Sequence, residues 1–213
     1  MLLNTVVLEN VTKTFGSFTA VDDLTLSVPK GTVYGFIGPN GSGKTTTLRM
    51  IMNIYYPDHG TIRVFGDQMH GACADRIGYM PEERGLYKDM NIKNLLLFFG
   101  NLKNGKDVAR QADLWIEKFG LGEWADKKVR TLSKGMQQKV QFMATIVSQP
   151  DMVILDEPFT GLDPVNADVL RDAVLELQSN GTTVIFSTHD MSVAEQMCDF
   201  IFMIFKGDRK SVV

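Results

Sequence analysis

Residues 38–45, Gly38-Pro39-Asn40-Gly41-Ser42-Gly43-Lys44-Thr45, constrain this chain more than any other stretch. They fit the spacing G-x-x-x-x-G-K-[ST], and all eight positions are in register. The apolar run Thr32–Ile37 before them reads as a buried strand, and Lys44 to about Met52 after them reads as a helix, so the loop sits in a strand-loop-helix unit. Glycines let such a loop wrap its backbone N–H groups around phosphate, and the helix N-terminus adds partial positive charge. Lys44 would hold the β and γ phosphates of a nucleotide. The Thr45 hydroxyl would coordinate Mg²⁺, and Thr46 can reach the α phosphate. A turn that binds nothing does not need this register together with these flanks.

The rest of the chain must supply a sheet for that unit. Val6–Leu8 and Ala20–Val28 read as short strands ending in the turn Pro29-Lys30-Gly31, an expected antiparallel edge. Short strands follow near Thr61–Phe65 and Ile77–Tyr79. From about Glu82 to Val147 the period turns helical, with helices expected over Asn91–Lys103 and Asp107–Phe119 and a stop at Gly120. Strand and helix then alternate: Met152–Leu155, Asn166–Gln178, Thr182–Phe186, Asp190–Met197 with Asp190 as N-cap, and Phe200–Phe205. That alternation predicts a parallel sheet covered by helices. The expectation is one α/β domain over 1–213: a core from about 1–81 and 148–213, and an inserted helical lobe at about 82–147.

Two carboxylates stand where a nucleotide-bound metal would need them. Met152-Val153-Ile154-Leu155 is an apolar strand running into Asp156 and Glu157, at the C-terminal end where ligands of such sheets bind. Asp156 would hold Mg²⁺. The bend expected at Pro158 lets Glu157 turn to the same side as a candidate general base toward an attacking water. His189 follows the strand Thr182–Phe186 and reaches the same edge, where it can contact the γ phosphate.

With Leu132-Ser133-Lys134-Gly135-Met136-Gln137-Gln138 added, the chain resembles the ATP-binding cassette family, and specifically the nucleotide-binding subunit of an ABC transporter. That segment is similar to the family signature L-S-G-G-Q, and the resemblance runs from about Leu8 to Lys206 with the motifs in order. It implies the P-loop NTPase fold, a RecA-like parallel core with an N-terminal antiparallel β subdomain and a helical subdomain. It further implies that Phe15 is the aromatic position that stacks on adenine. Gly38 to Thr46 would be Walker A, Asp156 and Glu157 the end of Walker B, Gly161-Leu162-Asp163 the D-loop and His189 the switch histidine. Ser133 and Gly135 would bind the γ phosphate of ATP held by an opposite protomer, a homodimer or a related cassette, so that ATP is sandwiched at an isologous interface. A helix N-terminus at Ser133 suits a second phosphate contact on physical grounds as well.

Two departures from the family pattern stand out. Glu82 occupies the Q-loop position that normally holds Gln; a carboxylate there can accept from water or bind Mg²⁺ but cannot donate while ionised. Lys134 and Met136 replace signature Gly and Gln, and Lys134 either adds a positive contact to phosphate or is solvated. The run Pro81-Glu82-Glu83-Arg84-Gly85-Leu86-Tyr87 together with the signature resembles bacterial exporter ATPases of the sodium and drug-efflux types.

Composition narrows the partners. The formal charge of −3 and pI near 5.6 argue against nucleic acid. Cys73 and Cys198 are the only cysteines and lack metal-ligand spacing, so reduced thiols in an intracellular protein are expected. No stretch approaches the ~18–20 apolar residues of a membrane span, and no secretion signal is indicated. Transport therefore requires a separate polytopic permease, and the expected place is the cytoplasmic face of the membrane. Leu95–Phe99 are expected to be core, with Tyr87 and Met90 as rim contacts for that partner. The chain ends soon after Lys206-Gly207, which suggests a truncated or minimal form of the resembled subgroup. The competing reading is a non-transport ABC ATPase or an ATP-dependent regulatory switch; the single cassette, absent heptads and negative charge weigh against it.

Overall fold

The N-terminal alternation folds into two antiparallel strands of 12 residues each, β1 (Asn4–Phe15) and β2 (Phe18–Pro29), longer than the short runs expected. The reason is local: register shifts between Leu8 and Val11, with Asn10 and Asp23 at positive φ, break the period-two pattern without ending the pairing. Asn10 Nδ2 donates to Asp23 Oδ1 across this irregularity at 2.8 Å. The computed structural model describes residues 3–68, 74–83, 85–205 and 208–212. Cys73, Arg84, Lys206 and Gly207 lie outside the described residues.

The chain continues through β3 (Val33–Ile37), α1 (Lys44–Ile51), β4 (His59–Val64), β5 (Asp67–Gln68), β6 (Ile77–Met80), α2 (Ile92–Leu102), α3 (Val108–Lys118) and α4 (Lys134–Ile146). It ends with β7 (Met152–Asp156), α5 (Pro164–Ser179), β8 (Thr183–Thr188), α6 (Met191–Met197), β9 (Phe200–Phe205) and β10 (Asp208–Val212). Helix starts follow side-chain caps: Asn91, Ser133, Asp163 and Asp190 each accept from a backbone N–H of the following turn. Pro164 at the first position lets α5 begin two residues before the expected Asn166.

Two sheets result. One is antiparallel, in the order β2-β1-β4-β5; the other has the order β10-β9-β3-β8-β7-β6 and is parallel except for β10 against β9. The N-terminal strands are thus the separate antiparallel β subdomain that the resemblance implies, rather than an edge of the main sheet, whose antiparallel edge is β10. Side chains alternate across β3: Tyr34 and Phe36 join a core with β1, β2 and α1, while Val33 and Ile37 join a second core with α2 to α6. Helix α1 therefore lies between the sheets, and the loop before it is clamped from both sides. Among the described residues no helix is long and apolar enough to cross a membrane.

The Leu95–Phe99 run is only partly core. Leu95 and Leu96 are fully buried, but the α2 surface turns Phe98 outward, where it packs edge-on with the exposed Tyr87. Met90, by contrast, is half-buried against the core.

Candidate active site

The loop that joins β3 to α1 is fixed by close approach. A Cβ on Gly38 would stand 2.1 Å from the Ile204 carbonyl oxygen, and Gly43, at φ +100°, would push one to 2.4 Å from the Ala20 carbonyl oxygen. Both positions therefore need glycine. Lys44, the first residue of α1, is buried and donates from Nζ to the carbonyls of Gly38 and Pro39 at 2.6 and 3.2 Å. The Thr45 hydroxyl donates to Asp156 Oδ1 at 3.2 Å.

The carboxylates come from the end of β7. Asp156 is 1% exposed; its Oδ1 also accepts from Ser187 Oγ at 2.5 Å, while its Oδ2 is buried with no hydrogen-bond partner. The chain turns over residues 157–160, with Pro158 inside the turn as expected and the Thr160 N–H donating to the Glu157 carbonyl, and Glu157 itself has a φ of 50° in the left-handed region. For a glutamate that conformation costs on the order of 1–3 kcal/mol and is characteristic of functional turns. It aims the Glu157 carboxylate at the loop, with Oε1 3.6 Å from Lys44 Nζ and Oε2 3.0 Å from His189 Nδ1. The backbone N–H of Glu157 donates to Ser187 Oγ at 3.0 Å, and Thr160 Oγ1 donates to Glu157 Oε2 at 3.2 Å.

A cavity of about 240 Å³ opens over this cluster, bounded by residues 40–46, Glu157, Glu82, Ala20 and Phe18. Asn40, Gly41, Ser42, Gly43, Lys44, Thr45 and Thr46 thus all face one space, and Glu82 faces it too. Phe15 does not line it. Its ring meets Tyr55 edge-on at 5.5 Å, with Lys13 Nζ 5.5 Å from its centroid.

The residues present fit a divalent cation held with phosphate. Asp156 Oδ2 is a buried acceptor without a partner beside the Thr45 hydroxyl, and Glu157 Oε1 is likewise without a hydrogen bond. Among the described residues no cluster of three or more His, Cys, Asp or Glu could hold a metal alone. Mg²⁺ in phosphate sites takes only one or two protein ligands, so this donor set is the expected size.

Ser133, Gly135 and Asp163 form a second group and do not line the cavity. Ser133 caps α4 by accepting from the Met136 N–H at 3.2 Å, and Asp163 caps α5 by accepting from the Asn166 N–H at 3.1 Å. The Asn166 amide sits 3.5 Å from where a Gly135 Cβ would be, so the two helix starts adjoin. Asn166 hydrogen bonds hold the Asp163 carboxyl below its ordinary range. Lys134 is exposed and Met136 half-buried.

Helix α4 also ties this group to the cavity. Gln138 Nε2 donates to the Pro158 carbonyl at 3.0 Å, directly after Glu157. Gln141 Nε2 donates to the carbonyls of Pro81 and Glu83, which flank Glu82. The sequence assigned no role to Gln138 beyond its place in the signature segment, nor to Gln141, Ser187, Thr160 or Phe18. Ser187 had a readable signal, because a hydroxyl at the ligand end of a parallel strand falls opposite Asp156 in the register.

Comparison with known proteins follows the same lines. The family described as "ABC transporter" matches residues 21–160. The chain is 41% identical over 202 residues to the uncharacterized ABC transporter ATP-binding protein YhaQ of Bacillus subtilis, covering 94% of this chain and 68% of that protein. It is 36% identical to the Nod factor export ATP-binding protein I of Burkholderia lata, covering 93% and 67%. It thus spans about two thirds of each relative. The solved structure of an ATP binding subunit of an ABC transporter superposes with a TM-score of 0.90 at 26% identity, covering 99% of this chain and 89% of that one.

Proposed function

Because the chain belongs to the ABC transporter family as an ATP-binding subunit, we propose that it hydrolyses Mg-ATP and that this work drives export through a separate membrane permease. One observation carries the reading: Lys44, Thr45, Asp156, Glu157 and His189, from three separate segments of the sequence, converge beside the phosphate-binding loop.

In this reading the loop amides and Lys44 bind and orient the β and γ phosphates at the start of α1. Asp156 and Thr45 hold Mg²⁺, and Glu82 on the cavity wall is a further ligand candidate. A Mg²⁺ ion held there would supply charge neutralisation at the phosphate oxygens. Glu157 takes the proton from the attacking water, while His189 and Thr160 hold that carboxylate in place. Ser187 fixes the neighbouring Asp156 side chain and the Glu157 backbone together.

Ser133, Gly135 and Asp163 are assigned to the nucleotide of an opposing protomer, either a second copy or a related cassette. The adjoining starts of α4 and α5, capped by Ser133 and Asp163, support that assignment by presenting a second helix N-terminus to phosphate. ATP then glues the pair, and loss of the γ phosphate removes the contact that both sides share, so the dimer reopens. Phe15 keeps the adenine-stacking position by likeness to the family. The exposed Tyr87 and Phe98 supply an apolar surface for the permease, at the cytoplasmic face of the membrane. The likeness to a Nod factor export ATP-binding protein of Burkholderia lata supports the export direction. The net charge of −3 supports a role without nucleic acid.

The test is ATP hydrolysis by the purified chain with Mg²⁺, alone and with its co-purified permease. Lys44→Ala is expected to lower turnover at least about 100-fold. Full activity in that variant would remove the phosphate-loop assignment.

A further inference from the structure

The cavity over the phosphate loop has one large apolar wall residue, Phe18, which the family pattern does not assign. Phe18 is 59% exposed at the first position of β2. Among the described residues no aromatic ring or cation packs on it, whereas Phe15 is engaged by both Tyr55 and Lys13.

The two phenylalanines are direct partners across the β1–β2 hairpin, on either side of Gly16-Ser17. Directly opposed residues of an antiparallel pair project from the same face, so both rings belong to one end of the hairpin. That end is held firmly. Asp58 accepts from the Thr14 N–H, the Thr14 hydroxyl and Lys13 Nζ at 2.6, 2.7 and 2.9 Å. The Ala20 carbonyl lies against Gly43, so β2 rests directly on the loop.

We propose that Phe18 is a second nucleoside-contacting ring of this site, lying nearer the phosphates than Phe15 and offering a free apolar surface to the base or ribose of the bound nucleotide. The proposal rests on the reading of residues 38–45 as the ATP-binding loop. An exposed ring on an anchored hairpin gains contact without the ordering cost of a mobile loop, which is the setting in which base–aromatic contact contributes most.

Calorimetric titration of the full chain with Mg-ATP and, separately, with inorganic tripolyphosphate distinguishes nucleoside contact from phosphate contact. Phe18→Ala should weaken ATP about tenfold, the loss of one stacked base, and leave tripolyphosphate within about twofold; Phe18→Trp should restore ATP binding. Unchanged ATP affinity in Phe18→Ala would overturn the proposal. Equal loss of both ligands would overturn it too, because it would mean that the substitution had deformed the loop. Wild-type protein that binds neither ligand would instead defeat the ATP-site reading itself.

Discussion

The Nδ1 of His189 stands 3.0 Å from Oε2 of Glu157, although the two residues lie on separate strand ends. On its other side the same carboxylate faces Lys44, 3.6 Å from Oε1. Glu157 is therefore held between the phosphate loop and an exposed histidine. Its position depends on Lys44 and His189, so whatever displaces either of them also moves this carboxylate.

Ser187 should matter more than its place outside the family motifs suggests. It is fully buried, donates to Asp156 and accepts from the Glu157 N–H. Ser187→Ala leaves a buried donor unpaired, so a loss of about 1–3 kcal/mol in stability is expected, together with a fall in kcat larger than any change in ATP affinity. Thermal melts and steady-state kinetics check this. An unchanged kcat would mean that the hydroxyl does not position the carboxylates.

Two glycines should behave oppositely. At Gly43 both φ and the Ala20 carbonyl forbid a side chain, so Gly43→Ala should destabilise the loop and abolish ATP binding. At Gly135 a Cβ meets nothing closer than 3.5 Å, so Gly135→Ala should melt like wild type. If Gly135 faces a partner's phosphate, that variant still binds ATP in its own loop but loses turnover. Melting curves, ATP titration and turnover separate the two outcomes.

Asp58 gives a pH signature. Hydrogen bonds from Lys13 and Thr14 hold its carboxyl well below the usual carboxylate range. A depressed folded-state pKa stabilises the fold at pH values above the ordinary carboxylate pKa near 4, and that contribution is lost as pH falls toward the folded value. The melting temperature of wild type should therefore drop more steeply below about pH 5 than that of Asp58→Asn. Parallel curves would show that Asp58 does not anchor the hairpin that carries Phe15 and Phe18.

The site was legible where chemistry and spacing coincide. The loop 38–45, the acids after β7 and His189 could be placed because each follows an apolar strand, and the parallel sheet then brings their ends to one edge. The strand lengths at the N-terminus were not legible, since bulges at Asn10 and Asp23 erase the alternation on which such reading depends. Nor was the left-handed conformation of Glu157, because positive φ in a glutamate is imposed by tertiary contacts rather than by propensity. Gln138 and Gln141 look like ordinary polar residues of a helix. Only packing reveals that they are buried and tied to Pro158 and to the Glu82 segment.

The central claim is that Glu157 is the base of a site completed by a second protomer. It is tested most directly by measuring the mass of Glu157→Gln in solution, with and without saturating Mg-ATP, alongside its turnover. The account predicts a variant that binds ATP, turns over at least about 100-fold more slowly, and shifts from monomer to stable dimer only when ATP is present. Hydrolysis at the wild-type rate, or a variant that stays monomeric with ATP bound, would contradict it.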